Sequence, residues 1–348
     1  MPLAGPSLRA ARVNIQLSPA PSLLLPFCAT ERQPLPHEPL VRDWPREAVL
    51  TDLYLTPALA DLERFFLWLR SELDRGLRRA RPVSHGKRYP LGQCLEISNA
   101  AARALCCLPQ LMPPPGPARR GRMALYAFLA AGGAMRQVWG DLRGAYFQNA
   151  FLVGTYYADL ANDTVIASKP KVEIKPLVEA QFTPVRDFHH YALVARRYWD
   201  ARLLPNHLLP EVAPWIPAII VVPGHGLQLD SPTNYMVALS RTNAFAPAEA
   251  WLAGPALPQG LFALLSRSLA AAGLGLPASP QAGRAAALTA CRDGRAAGWH
   301  ADARRAFRSV QAAQAANRLL KGFAATGPRP FSPPTAPARI ATAAIGVD

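Results

Sequence analysis

An α+β fold is predicted by three observations. Apolar residues recur at helical spacing as far as Gly132-Gly133, and at the alternating spacing of strands just beyond it. The strand-like segments there are rich in aromatic and β-branched residues and are punctuated by Gly140, Gly144 and Gly154. Helical spacing returns after about residue 187. Helices and strands that come in runs, rather than in strict alternation, point to an antiparallel sheet packed on helices.

The elements follow in order. Residues 1–50 are broken by proline, with little periodicity, and read as an extended arm. The first firm helix is expected at Thr56-Pro57, where Thr supplies an N-cap acceptor and Pro a pre-set φ. Leu59, Leu62, Phe66, Leu69, Leu73 and Leu77 continue it, and Arg75, Arg78 and Arg79 suit its C-terminal dipole. A second helix is predicted from Cys94 to about Cys107, ahead of Pro109. PPPGPARRGR at 113–122 reads as a loop, and 123–131 as a third helix stopped by Gly132-Gly133. Segments 134–139, 145–153 and 156–160 form a meander, with 165–174 as a further candidate strand. Helices at 188–199, 246–253 and 260–272 surround a proline-rich passage that leads into Ile219–Val222. Beyond Gly273 a single helix is expected over 299–323. The domain reading is an arm (1–50), an α+β core domain (51–180), a second lobe or elaboration (181–272) and a basic tail (273–348).

Composition narrows the class. Half of the 348 residues are apolar and 18% are charged, which excludes a fully disordered chain. The apolar stretch 216–222 contains Pro217 and, like every other in the sequence, falls far short of the ~20 residues that span a bilayer. The first residues lack a basic segment followed by an apolar one, so a soluble, cytoplasmic protein is expected. Five cysteines, two of them adjacent (Cys106-Cys107), suit neither a disulfide framework nor a CxxC metal pair. The net charge is +15. Residues 281–348 hold ten basic groups against Asp293, Asp302 and Asp348, a local +7 that would allow weak polyanion contact through the tail.

Gly92-Gln93-Cys94 opens a helix. Unpaired N–H groups at such a start favour a thiolate, and a neighbouring amide such as Gln93 can hold an oxyanion. A buried core cysteine is the other reading of the same residue. The order of elements from 89 to 164 resembles the transglutaminase-like branch of the papain-like cysteine fold. That family has a Gly-x-Cys helix, a Gly-Ile-Pro-Ala-Arg-like strand, a His-Ala-Trp-like strand and an Asp on the next strand. Here Ala134–Gly140 occupies the first strand and Asn149-Ala150-Phe151 the His slot. Asp159, or Asp163 by a register slip, takes the third position. The resemblance implies a site of Cys94, Gln93, Asn149 and Asp159 without the general base, because an amide takes up no proton near neutral pH. His85, His189 and His190 are the imidazoles that could stand in.

The expected function is therefore the binding of an unknown small molecule or protein partner, held by Asn149, Gln148 and Asp159, with no cofactor. The alternative is a cysteine-dependent acyl transferase or amide hydrolase using Cys94 and an unidentified base. A further alternative assembles a metal site from Asp187, His189, His190, His207 and His225. Pro223–Gly226 reads as a β-turn, too short to cradle a phosphate.

Overall fold

The computed structural model describes residues 34–84, 86–222, 226–229, 234–270 and 275–320. They divide into two units, Met1–Arg186 with Thr233–Thr242, and Asp187–Pro232 with Asn243–Asp348.

Helix begins earlier than the proline pattern predicts. In the first unit α1 (Trp44–Leu50) starts at Asp43, whose carboxylate accepts from Arg46 N at 3.2 Å. A π turn (Thr51–Leu55) and a 3-10 turn (Thr56–Ala58) carry it into α2 (Leu59–Ala80). Thr56-Pro57 thus marks a tightened turn inside a helical run, and the arm ends near residue 43 rather than 50. On α2, Leu62, Phe65, Phe66 and Leu69 are buried, each contributing about 1.5–3 kcal/mol. Helix α3 (Cys94–Cys106) matches its expected span. Helix α4 (Gly116–Ala130) starts within the expected loop, because Pro117 falls in the first turn, where its missing N–H costs nothing. It crosses α2 at very close range: a Cβ on Gly121 would lie 2.0 Å from Asp61 O.

A two-stranded hairpin, β1 (Val83–Ser84) and β2 (Lys87–Arg88), precedes α3. The main sheet contains β3 (Met135–Leu142), β4 (Tyr146–Val153), β5 (Tyr156–Asp159), β6 (Glu173–Pro176) and β7 (Phe182–Thr183), all antiparallel in the order β6-β5-β4-β3-β7. The meander lies where periodicity places it. The candidate strand at 165–174 shrinks to β6, and a short helix α5 (Leu177–Ala180) follows it. Phe151, Val153, Tyr156, Ala158 and Met135 pack with α2, α3 and α4 into one core. The fold of this unit is α+β, with the cysteine-bearing helix against an antiparallel sheet.

The second unit has a three-stranded antiparallel sheet, β10-β9-β8, made of β8 (Arg202–Pro205), β9 (Ala218–Val222) and β10 (Gly226–Leu229). Its helices are α6 (Phe188–Trp199), the later part of α7 (Asn234–Leu252), α8 (Gln259–Ala270), α9 (Pro280–Ala296) and α10 (Ala303–Leu320). The boundary between units cuts α7 at Asn243, Ala244 and Phe245, which carry φ values of 48°, 53° and 71°. Three successive left-handed residues without glycine are strained, at about 1–2 kcal/mol each.

The tail is a correction. Residues 280–296 form a helix that the sequence reading does not contain. Ala287 and Cys291 on α9 are fully buried, as are Ala313, Ala316 and Leu320 on α10 to within 1%. Asn317 pairs with both backbone groups of Leu229, at 2.7 and 2.9 Å, and so closes the edge of β10. Residues 280–320 are part of the core of this unit. The expected end of the last helix at Phe323 lies outside the described residues.

Candidate functional site

Cys94 is the first residue of α3, and what fixes it is a buried ionic network. Arg70 on α2 donates to both carboxylate oxygens of Asp163, at 2.8 and 3.1 Å, to Leu160 O at 2.6 Å and to Asp74 at 2.5 Å. Tyr89 donates to Asp74 at 2.5 Å and Lys171 pairs with it. Burial alone would lower the Arg70 pKa, but Asp163 and Asp74 more than offset it and raise it. The network pins the turn at Asn162–Thr164, and Thr164 O accepts from Gly92 N at 2.8 Å, two residues before the cysteine. The entry to α3 is thereby tied to the end of β5.

Strand alternation then decides which side chains meet the sulfur. Trp139 lies opposite Asn149, and Gln137 opposite Phe151, so Gln137, Trp139, Phe147, Asn149 and Phe151 share the face turned to the helices. The Asn149 amide donates to Cys94 Sγ at 3.5 Å. Ser98, one turn along α3, donates to Asn149 O at 3.0 Å, and Gln137 donates to Asn99 Oδ1 at 2.9 Å. The result is a polar seam between α3 and β4. Cys94 and Asn149 are both half-buried, as are Asn99 and Gln137, while Ser98 between them is buried. Burial pushes the Cys94 thiol above its ordinary value; the bond from Asn149 opposes this, while the Asp159 and Glu96 carboxylates add to it. That direction is opposite to the one a helix start alone predicts, because desolvation of the thiolate outweighs the helix dipole.

The structure brings Cys94 and Asn149 together, and it separates Asp159 from both. Tyr157 lies opposite Leu152, so alternation places Asp159 with Tyr157 and Gln148 on the other face of the sheet. There it accepts from Gln148 at 2.6 Å, Tyr157 OH at 3.0 Å and Ala161 N at 2.7 Å. Burial pushes its carboxyl up to about 6 against those three bonds. Asp159 thus orients Gln148 and not Asn149, and Asp163, the register-slip alternative, is engaged by Arg70. Gln93 directs its amide to Arg81 O at 3.0 Å rather than to the sulfur, and its Oε1 is buried with no partner among the described residues. Ser98 and the Arg70 network are missed by motif reading, although the four-residue step from Cys94 to Ser98 carries the signal for the first.

Among the described residues no imidazole makes a hydrogen bond with Cys94. His85 and His225 lie outside the described residues. In the second unit Asp187 caps α6 by accepting from His190 N at 2.7 Å. His189 meets Trp251 edge-on, and the buried His207 ring bonds Leu252 O at 2.9 Å. No group of three His, Cys, Asp or Glu among the described residues could hold a metal. No helix of the described residues is long and apolar enough to cross a membrane. Comparison with protein-family models, with curated proteins and with solved structures finds no match to this chain.

Proposed function

We propose that this chain is a ligand- or partner-binding protein whose site is the polar seam between α3 and β4, on an architecture that resembles the transglutaminase-like fold without its catalytic imidazole. The observation that carries this reading is the 3.5 Å hydrogen bond from Asn149 to Cys94, at the position where that family has its general base. An amide there can position a group but cannot accept the thiol proton. The raised Cys94 thiol, with two carboxylates adding to the rise, stays protonated at neutral pH. A hydrogen-bonding role remains for the half-buried Cys94 and Asn149, with the buried Ser98 holding the Asn149 carbonyl in place.

Iodoacetamide labelling with peptide mapping tests the proposal against acyl transfer. Cys107 is exposed and serves as the internal free thiol. Cys94 should alkylate more slowly than Cys107 from about pH 5 to about pH 9, and an activated acyl ester should leave no acyl group on it. Faster labelling of Cys94 at neutral pH, or an acyl adduct lost in Cys94→Ser, would establish the enzymatic alternative instead.

A further inference from the structure

Helix α10 has an outer face that its packing does not use. Its inner face, Ala306, Ser309, Ala313, Ala316 and Leu320, is buried in the second unit. Turned away from it are Arg304, Phe307, Arg308, Gln311, Arg318 and Leu319, all exposed, which fall within about a third of the helix circumference at 100° per residue. Phe307 is 62% exposed and Leu319 45%. Arg305 lies to the side, 4.1 Å over the Trp299 ring and paired with Asp302 at the start of the helix. From residue 303 to residue 347 the sequence holds seven basic residues and no acidic one.

We propose that this face docks on an anionic lipid bilayer, with Phe307 and Leu319 entering the headgroup layer and Arg304, Arg308 and Arg318 pairing with acidic headgroups. Charge complementarity calls for an anionic partner, and the apolar pair selects among such partners. A helix lying on a bilayer buries its Phe and Leu side chains at the headgroup boundary while its arginines stay at the level of the acidic headgroups, and here both kinds of side chain are presented outward over about 24 Å of helix. Single-strand binders instead interleave several aromatics with cations along a groove. A convex face with one ring and one aliphatic side chain lacks that feature.

The test is co-sedimentation of the full chain with vesicles of phosphatidylcholine alone and of an equimolar phosphatidylcholine and phosphatidylglycerol mixture. Binding is expected only to the mixed vesicles, and it should weaken as salt shortens the screening length. Arg304→Gln, Arg308→Gln and Arg318→Gln should each cost about fivefold in affinity. Phe307→Ala should cost about tenfold. All four residues point outward, so melting temperatures should not change. Phe307→Trp provides a second reading, in which the added emission shifts to the blue on mixed vesicles. Equal binding to both vesicle types, no binding, an unshifted Phe307→Trp emission, or tighter binding to a single-stranded oligonucleotide than to vesicles would each overturn the proposal.

Discussion

At position 149 the side chain is an amide, which can donate to a sulfur but takes up no proton near neutral pH. The Asn149 amide reaches the Cys94 sulfur and gives it an N–H, so the geometry of a pair is present while the proton acceptor is missing. Asn149→His would supply an acceptor at the same strand position. An imidazole beside the sulfur stabilises the thiolate as an ion pair, and the rate of Cys94 alkylation should rise at neutral pH with its midpoint moving below the wild-type value. Labelling rates against pH check this; an unchanged profile would mean that residue 149 does not control the thiol.

On the opposite face Asp159 offers a prediction in pH. Burial raises its carboxyl to about 6, so the folded protein holds that proton more tightly than the unfolded chain does. The stabilisation from protonation is complete below about pH 4 and is lost as pH passes through about 6, after which the buried carboxylate costs at most about 3 kcal/mol. Asp159→Asn cannot ionise, and its amide can donate to Gln148 Oε1, which has no partner among the described residues. The unfolding free energy of Asp159→Asn relative to wild type should therefore improve steadily from about pH 4 to about pH 7, as read by urea melts. A difference that does not vary with pH would sink this account of Asp159.

Elements were legible where large side chains made the pattern. The meander was readable because Tyr146, Phe147, Phe151, Tyr156 and Tyr157 mark strands and glycines mark their ends. The pairing of Cys94 with residue 149 followed from that order. The place of Asp159 did not, since a shift of one residue moves a side chain through the sheet and only the register, Leu152 opposite Tyr157 and Phe151 opposite Ala158, settles it. Helix α9 was invisible for a different reason: its buried face is Gly283, Ala287, Cys291 and Gly294, side chains too small to give an apolar period. On α10 the packed face is likewise made of small side chains: Phe307 points outward, while Ala306, Ala313 and Ala316 point in. Small residues allow close approach, and Gly283 is the limiting case. A Cβ there would lie 2.0 Å from His207 O, whereas one on Gly275 would meet nothing within 4 Å. Gly283→Ala should destabilise by about 1–3 kcal/mol or more and Gly275→Ala by almost nothing, measured by chemical denaturation. Equal effects would contradict the packing of α9 on the His207 backbone.

For the molecule as a whole, the distribution of charge sets residues 281–348 apart as a basic tail, while the distribution of buried surface makes α9 and α10 part of a core. Arg292, Arg304, Arg308 and Arg318 lie on the outer faces of α9 and α10, while the inner faces supply Pro280, Ala287, Cys291, Ala306, Ala313, Ala316 and Leu320 to the core of the second unit. Net charge reports on partners and solubility, and it says nothing of which residues a fold needs. A chain ending at residue 272 loses both helices, uncovers the edge of β10 that Asn317 closes, and removes the Arg284 guanidinium that holds the carbonyls of Ala253 and Gly254 beyond α7. Losses on that scale exceed about 5 kcal/mol, the low end of the whole stability of a domain. The shortened chain should lack a cooperative transition in the fluorescence of Trp215 and Trp251, whereas a chain ending at Leu320 should keep it. If the chain ending at 272 melts cooperatively at the temperature of the full protein, helices α9 and α10 contribute nothing to the second unit and the packing described for them is wrong.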